Sequence, residues 1–154
     1  MSEAQVATNR TMLRVRDTID RDYASELDLP ALARVAHVSP DHLVRTFKRV
    51  FGETPHRYLQ RRRVERAMFL LRTSDDDVLA ICHAVGFSSL GTFGRTFAQV
   101  VGETPTQHRA RGPLPPAHGC FAMAWTRPAS YGASSGASHG GSSVSEKREA
   151  TGDS

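Results

Sequence analysis

The chain has 154 residues and a mass of 16.9 kDa, enough for one domain or for two very small ones sharing an interface. Hydrophobic residues make up 39% and charged residues 23%, so a packed core is within reach, while no apolar run approaches the ~20 residues of a membrane helix. The opening MSEAQVATNRTMLRVRD has no basic-then-apolar leader, which predicts a cytoplasmic protein, and two cysteines, Cys82 and Cys120, are too few for a disulfide scaffold or a thiolate zinc site.

Residues 8–112 carry helix signals at short intervals with no strand-like run between them. The first helix is expected over residues 10–24. A second follows Asp28 as N-cap, with Pro30 in its first turn, and ends near Ala36. A third follows Ser39 with Pro40 at its first position, and a fourth runs from Thr54-Pro55 to about Arg72. A fifth follows the acidic cluster Asp75, Asp76 and Asp77, whose charge suits a helix N-terminus. A sixth begins near Ser89 and a seventh at Thr104-Pro105. Residues 113–129 are punctuated by proline yet alternate Phe121, Met123 and Trp125, the pattern of a short strand or an extended arm on the core. From residue 130 to 154, glycine, serine and small polar residues dominate, and such a tail is expected to be disordered because it has too little apolar surface to offset its chain entropy.

The chain repeats itself. FGETP at 51–55 returns as VGETP at 101–105, and RTF at 45–47 returns at 95–97. From Ser39 to Arg61 the offset is constant at 50, and ten of those 23 pairs are identical: 39, 45, 46, 47, 50, 52, 53, 54, 55 and 61. Before Ser39 the best offset is 49, so the second copy has one extra residue in the turn before its second helix. Each copy reads as helix, tight turn, helix and glycine stop. Leu43, Phe47, Val50 and Phe51 form one core stripe, and Phe93, Phe97, Val100 and Val101 the other. The opposite faces hold Asp41, Val44, Arg45 and Lys48 in the first copy, and Gly91, Gly94, Arg95 and Ala98 in the second. Two helices joined by a turn, the second exposing a face, form a helix-turn-helix arrangement.

The charge supports a polyanion partner. The net charge is +4, residues 113–154 are neutral, and residues 42–72 alone carry nine basic and two acidic side chains. The alternative is a solvated helix face rich in arginine.

Two such units joined by a long helix resemble the DNA-binding domain of the AraC/XylS family of bacterial transcription regulators. The resemblance covers roughly residues 28–111, including LARVAHVSPDHLVRTFKRVFGETPHRYLQRRRVERAMFLL and ICHAVGFSSLGTFGRTFAQVVGETPTQHRAR. It implies an all-α, homeodomain-like fold of two helix-turn-helix subdomains, a double-stranded DNA partner at promoters, and no cofactor or metal. The length leaves no room for a separate effector domain, so the chain is similar to short members that bind as monomers. His37 stands where the family has glycine at a left-handed position, which His tolerates at some strain. Cys82 replaces a small alanine and reads as a buried hydrophobe rather than a redox group.

By the same resemblance, Arg45 and Arg95 occupy positions used for DNA, with solvated surface as the alternative. Asp41 can accept from a cytosine amino group or simply favour the helix N-terminus. Val44 can pack on a thymine methyl or be an incidental exposed residue. Lys48, Arg49 and Arg61 suit phosphate contacts or a solvated face, and Arg63 a structural ion pair. Ser39 and Ser89 read as N-caps with backbone NH groups toward phosphate, and Gly91 and Gly94 as positions of close backbone approach. Phe47, Phe87, Phe93 and Phe97 read as core. The fourth helix spans roughly 28 Å at 1.5 Å per residue, and its stripe of Val64, Ala67, Met68 and Leu71 is expected to pack on both units. One chain then covers two successive major grooves, with curved DNA as the accommodation.

Other functions fit less well. His108, His118 and Cys120 match no common zinc spacing. Alkyl-transfer repair proteins share this helical unit but depend on a reactive cysteine in a dedicated domain. Two further rivals are a sequence-neutral architectural DNA binder and an adaptor that binds RNA polymerase and little DNA.

Overall fold

Seven helices and no strand make up residues 1–114, the part of the chain that the computed structural model describes. The arm expected over 113–129 lies outside the described residues beyond Leu114, and the tail lies outside them entirely. Helix α1 spans Glu3–Asp22 and starts about two turns before the expected residue 10. The reason is local: Ser2 Oγ accepts from Gln5 N at 3.2 Å and caps the helix. Nothing before Met12 is buried, so the apolar period that marks a helix in sequence begins only there.

Helices α2 (Leu29–Ala36), α3 (Pro40–Phe51), α4 (Pro55–Thr73), α5 (Val78–Ala84), α6 (Leu90–Val101) and α7 (Pro105–Arg109) follow the expected order. Their starts obey the expected chemistry. Asp28, Ser39, Thr54, Asp77, Ser89 and Thr104 each accept from the backbone N–H three residues on. Pro30, Pro40, Pro55 and Pro105 stand in first turns, where a missing N–H costs nothing. Gly52 and Gly102 end α3 and α6 in left-handed conformation, each N–H reaching back one turn.

The helices pack as two units with separate cores. Met12, Val15, Ile19 and Tyr23 of the α1 segment meet Leu32, Ala33, Ala36, Leu43, Phe47 and Leu59 in the first. Val64, Ala67 and Leu71 meet Ile81, Cys82, Val85, Phe87, Phe93 and Phe97 in the second. The stripe expected to serve both units therefore serves only the second. The first half of α4, through Pro55, Tyr58 and Leu59, serves the first. Nineteen residues give α4 more than five turns, and each half turns its own apolar side to its own unit.

The repeat also reaches further back than the identities do. Met12, Val15 and Ile19 have the spacing i, i+3, i+7, and Val64, Ala67 and Leu71 repeat it beneath the second unit. The stripes on α3 and α6 deviate at one point: Val100 is 43% exposed, while Val50 lies partly buried on the first core. Thr46, one position from the expected stripe, is buried at 3%.

Candidate nucleic-acid interface

Each unit orients its second helix by a turn whose first residue is left-handed. In the first unit His37 has φ 56° and ψ 39°, and Val38 N donates to Ala33 O at 3.1 Å. In the second Gly86 has φ 98°, and Phe87 N donates to Cys82 O at 3.0 Å. The two turns match at an offset of 49 up to Phe87, and Ser88 is the inserted residue before the N-cap Ser89. The extra residue and the left-handed histidine inferred from sequence are both present.

On α3, Asp41, Arg45, Lys48 and Arg49 are exposed and Val44 is partly buried. Ser39 caps the helix through His42 N at 3.3 Å. His42, which the sequence reading passed over, is exposed two turns before Arg49 on the same side. On α6, Gly91, Arg95 and Ala98 are exposed, Gly94 is partly buried, and Thr92 and Gln99 are exposed as well. Thr92 and Gln99 stand at the register of His42 and Arg49, so the 50-residue offset could have found them. Ser89 caps α6 through Thr92 N at 3.1 Å and also donates to the Thr92 hydroxyl at 3.0 Å. A Cβ at Gly91 would meet Arg95 Nη1 at 3.5 Å, so this guanidinium lies back along the first turn of α6.

The arginines of the basic stretch sort into two groups. Among the described residues no carboxylate pairs with Arg45, Lys48, Arg49, Arg57 or Arg95. Arg61 is different: it meets Glu53 at 2.7 Å and Glu65 at 2.6 Å. Its hydrogen bond to Glu53 above all holds its pKa above the ordinary value. Arg62 meets Asp20 and Glu65, both at 2.9 Å, and Tyr58 donates to the same Asp20 oxygen at 2.8 Å. Among the described residues Arg63 forms no ion pair, contrary to the sequence expectation. Its guanidinium donates to the carbonyls of Tyr23 and Ser25 at 2.7 and 2.9 Å, because the C-terminal end of α1 presents carbonyls there and no carboxylate. Within residues 42–72 the exposed positive charge without a carboxylate partner is thus concentrated on α3 and on Arg57 in the first turn of α4, which the sequence reading also passed over.

The second unit repeats the brace. Glu103, the counterpart of Glu53, meets Arg111 at 2.7 Å and His108 at 2.8 Å. Hydrogen bonds from Arg111 and then His108 hold the Glu103 pKa below the usual carboxylate value. His108 is buried at 5% and packs edge-on against Phe97, as Tyr58 does against Phe47. Cys82 is fully buried, its thiol near Phe87 O at 3.9 Å, and burial pushes its pKa up. A neutral, enclosed thiol is a poor nucleophile. No group of three or more His, Cys, Asp or Glu suited to a metal occurs among the described residues. No helix among them is long and apolar enough to cross a membrane.

Known proteins show the same design. The helix-turn-helix domain family matches residues 32–111, just over half of the chain. The HTH-type transcriptional regulator Rv1931c of Mycobacterium tuberculosis is 41% identical over 78 residues, 51% of this chain and 30% of that protein. The bifunctional transcriptional activator/DNA repair enzyme AdaA of Bacillus subtilis is 33% identical over 95 residues, 62% of this chain and 45% of that protein. The chain spans less than half the length of these curated relatives. Among solved structures, the DNA-binding domain of the global transcriptional factor AdpA, in complex with a target DNA, superposes with a TM-score of 0.62 at 28% identity, covering 65% of this chain and 90% of that one. With the repeated units, the left-handed turns and these matches together, the chain belongs to the AraC/XylS-type helix-turn-helix family of transcriptional regulators.

Proposed function

We propose that the protein is a sequence-specific transcriptional regulator whose two units read successive major grooves of one duplex as a monomer. The observation that carries this reading is the contrast among the arginines. Arg61, Arg62, Arg63, Arg72, Arg109 and Arg111 are held by carboxylates or carbonyls, while Arg45, Lys48, Arg49 and Arg95 are left exposed on the second helix of each helix-turn-helix. A solvated arginine-rich surface has no reason to divide its charges that way. DNA-binding affinity comes mainly from neutralised phosphates and specificity from side chains on base edges.

In this reading Arg45 reads a guanine, Asp41 a cytosine amino group and Val44 a thymine methyl. Lys48, Arg49 and Arg57 neutralise phosphates. Arg61 acts as a brace between α4 and the Gly52-Glu53 turn, since two carboxylates already offset its charge. Ser39 and Ser89 hold the helix N-termini, whose free N–H groups suit phosphate oxygens. On α6, Arg95 is the main base reader, and Gly91 and Gly94 let the backbone come close. The ~28 Å of α4 suits two reading helices set one DNA turn, ~34 Å, apart. Contact with RNA polymerase belongs to the same proposal only as the means by which a bound regulator would act.

DNA repair by alkyl transfer, the rival that needs a reactive cysteine, has no support among the described residues, where the one cysteine is buried. Cys120 lies outside them. The test is selection of bound fragments from genomic DNA by the purified protein. The expected result is an asymmetric motif in two parts about one DNA turn apart, with log affinity falling by roughly 0.9 per phosphate contact as log salt rises. Equal affinity for all fragments would instead assign a sequence-neutral architectural role.

A further inference from the structure

The two cores share no residue, so the angle between the reading helices depends on α4 and on whatever braces it. A single helix between two bodies bends. A second attachment beside its axis stops that, and Arg63 makes one. It sits on α4 between Leu59 of the first core and Val64 of the second. Its Nε donates to Tyr23 O at 2.7 Å and its Nη2 to Ser25 O at 2.9 Å, at the C-terminal end of α1. There the helix leaves carbonyls unpaired and its dipole is negative. The same guanidinium lies over the Phe87 ring of the second unit, 5.8 Å from its centroid.

Gly86 closes the contact from the other side. A Cβ there would stand 2.8 Å from Tyr23 O and 2.9 Å from Arg63 Nε, so only glycine lets the second turn seat against the end of α1. Tyr23 belongs to the first core and Phe87 to the second. One planar, forked donor therefore holds the first unit, the linker helix and the second unit at fixed directions, which a lysine ammonium cannot do.

We infer that Arg63 and Gly86 form a junction that fixes the angle between the two reading helices, and thereby the half-site separation that the protein accepts. The inference rests on the two-groove reading proposed above. Adding one base pair between half-sites moves the second by ~3.4 Å and turns it by ~34°. A reader with locked units loses contacts at once, whereas a reader that bends at α4 follows part of the way.

Two measurements test it. With Cys120→Ser as background, spin labels on Arg34→Cys in α2 and Ala80→Cys in α5, both exposed positions, report the distance between units in the free protein. The distribution is expected to be narrow with Arg63 present and clearly wider with Arg63→Met. Affinity is then compared for the selected site and for versions with one base pair added or removed at its centre. The parent should lose about tenfold, comparable to one mismatched pair, and Arg63→Met roughly a third of that factor or less. Thermal melting checks that each variant is folded. If Arg63→Met is not, Arg63→Lys, which keeps the charge and one carbonyl contact, carries the same comparison. A parent indifferent to separation removes the two-groove reading and this inference with it. A sensitive parent with an equally sensitive variant, or an unchanged distance distribution, overturns the junction alone.

Discussion

The first and second units share one plan and spend their surfaces differently. Both pack a phenylalanine against a ring eleven residues further on, Phe47 on Tyr58 and Phe97 on His108. Both brace a glutamate against an arginine, Glu53 with Arg61 and Glu103 with Arg111. On the exposed helix the likeness ends. The first unit shows Asp41, Arg45, Lys48 and Arg49, and the second shows Gly91, Arg95, Ala98 and Gln99 at the same positions. Arg45 and Arg95 are the one identical pair among these four positions, and the other three differ in charge and size. Under the proposed function, a duplicated scaffold with two different outward faces suits an asymmetric DNA site better than a palindrome.

The largest test of this comparison is in the cores. Phe47 and Phe97 are both fully buried, and truncating either to alanine should cost about 3–5 kcal/mol. Because the cores are separate, the loss should be uneven. In Phe97→Ala the amides of α5 and α6 should exchange hydrogen much faster while those of α2 and α3 change less, and Phe47→Ala should reverse the pattern. Equal acceleration everywhere would show that the two units unfold as one.

The next effect concerns reading. Arg45→Ala should weaken binding by about 1–3 kcal/mol and relax one base position in the selected motif, as for loss of a bidentate guanine contact. Arg95→Ala should weaken binding while altering the motif less, because its helix offers fewer side chains to define a sequence. Two equally informative half-sites, or an Arg45→Ala protein with unchanged preference, would break the comparison.

Much of the fold was legible because it is written in local chemistry. Six of the seven helix starts carry an N-cap that sequence alone identifies, and the repeat supplied the pairing of units. The start of α1 was missed because Glu3 to Thr11 bury nothing and Ser2 alone marks the end. The division of α4 was missed because a stripe of apolar residues does not say which body it faces. Exposure was legible on the outer faces of α3 and α6, at Arg45 and Arg95. Pairing was not legible at Arg61 and Arg63, whose partners lie as far as 40 residues away, at Tyr23. Charge in sequence counts arginines, and only packing shows which of them already have partners.

The two turns offer a smaller effect. His37 holds φ 56° where the second unit has Gly86. A non-glycine residue in this region is strained, and relief outweighs the extra freedom that glycine gives the unfolded chain. His37→Gly should therefore stabilise the protein by about 1 kcal/mol, read as a rise in melting temperature. The reciprocal change, Gly86→Ala, should destabilise it, both through the left-handed backbone and through the 2.8 Å approach to Tyr23 O.

The smallest stability effect separates the two readings of the glycines on α6. Gly94 has nothing within 4 Å of where its Cβ would stand and no positive φ, so alanine fits without strain. A glycine inside a helix costs about 0.5–1 kcal/mol relative to alanine, and Gly94→Ala should raise the melting temperature accordingly. If Gly94 is there to let the α6 backbone approach DNA, the same substitution should weaken binding despite the gain in stability, and should do so on every sequence alike. If it is only a gap on a solvated face, the stiffer helix should bind as well as before or slightly better. Melting and affinity measured on one variant therefore move in opposite directions under the first account and not under the second.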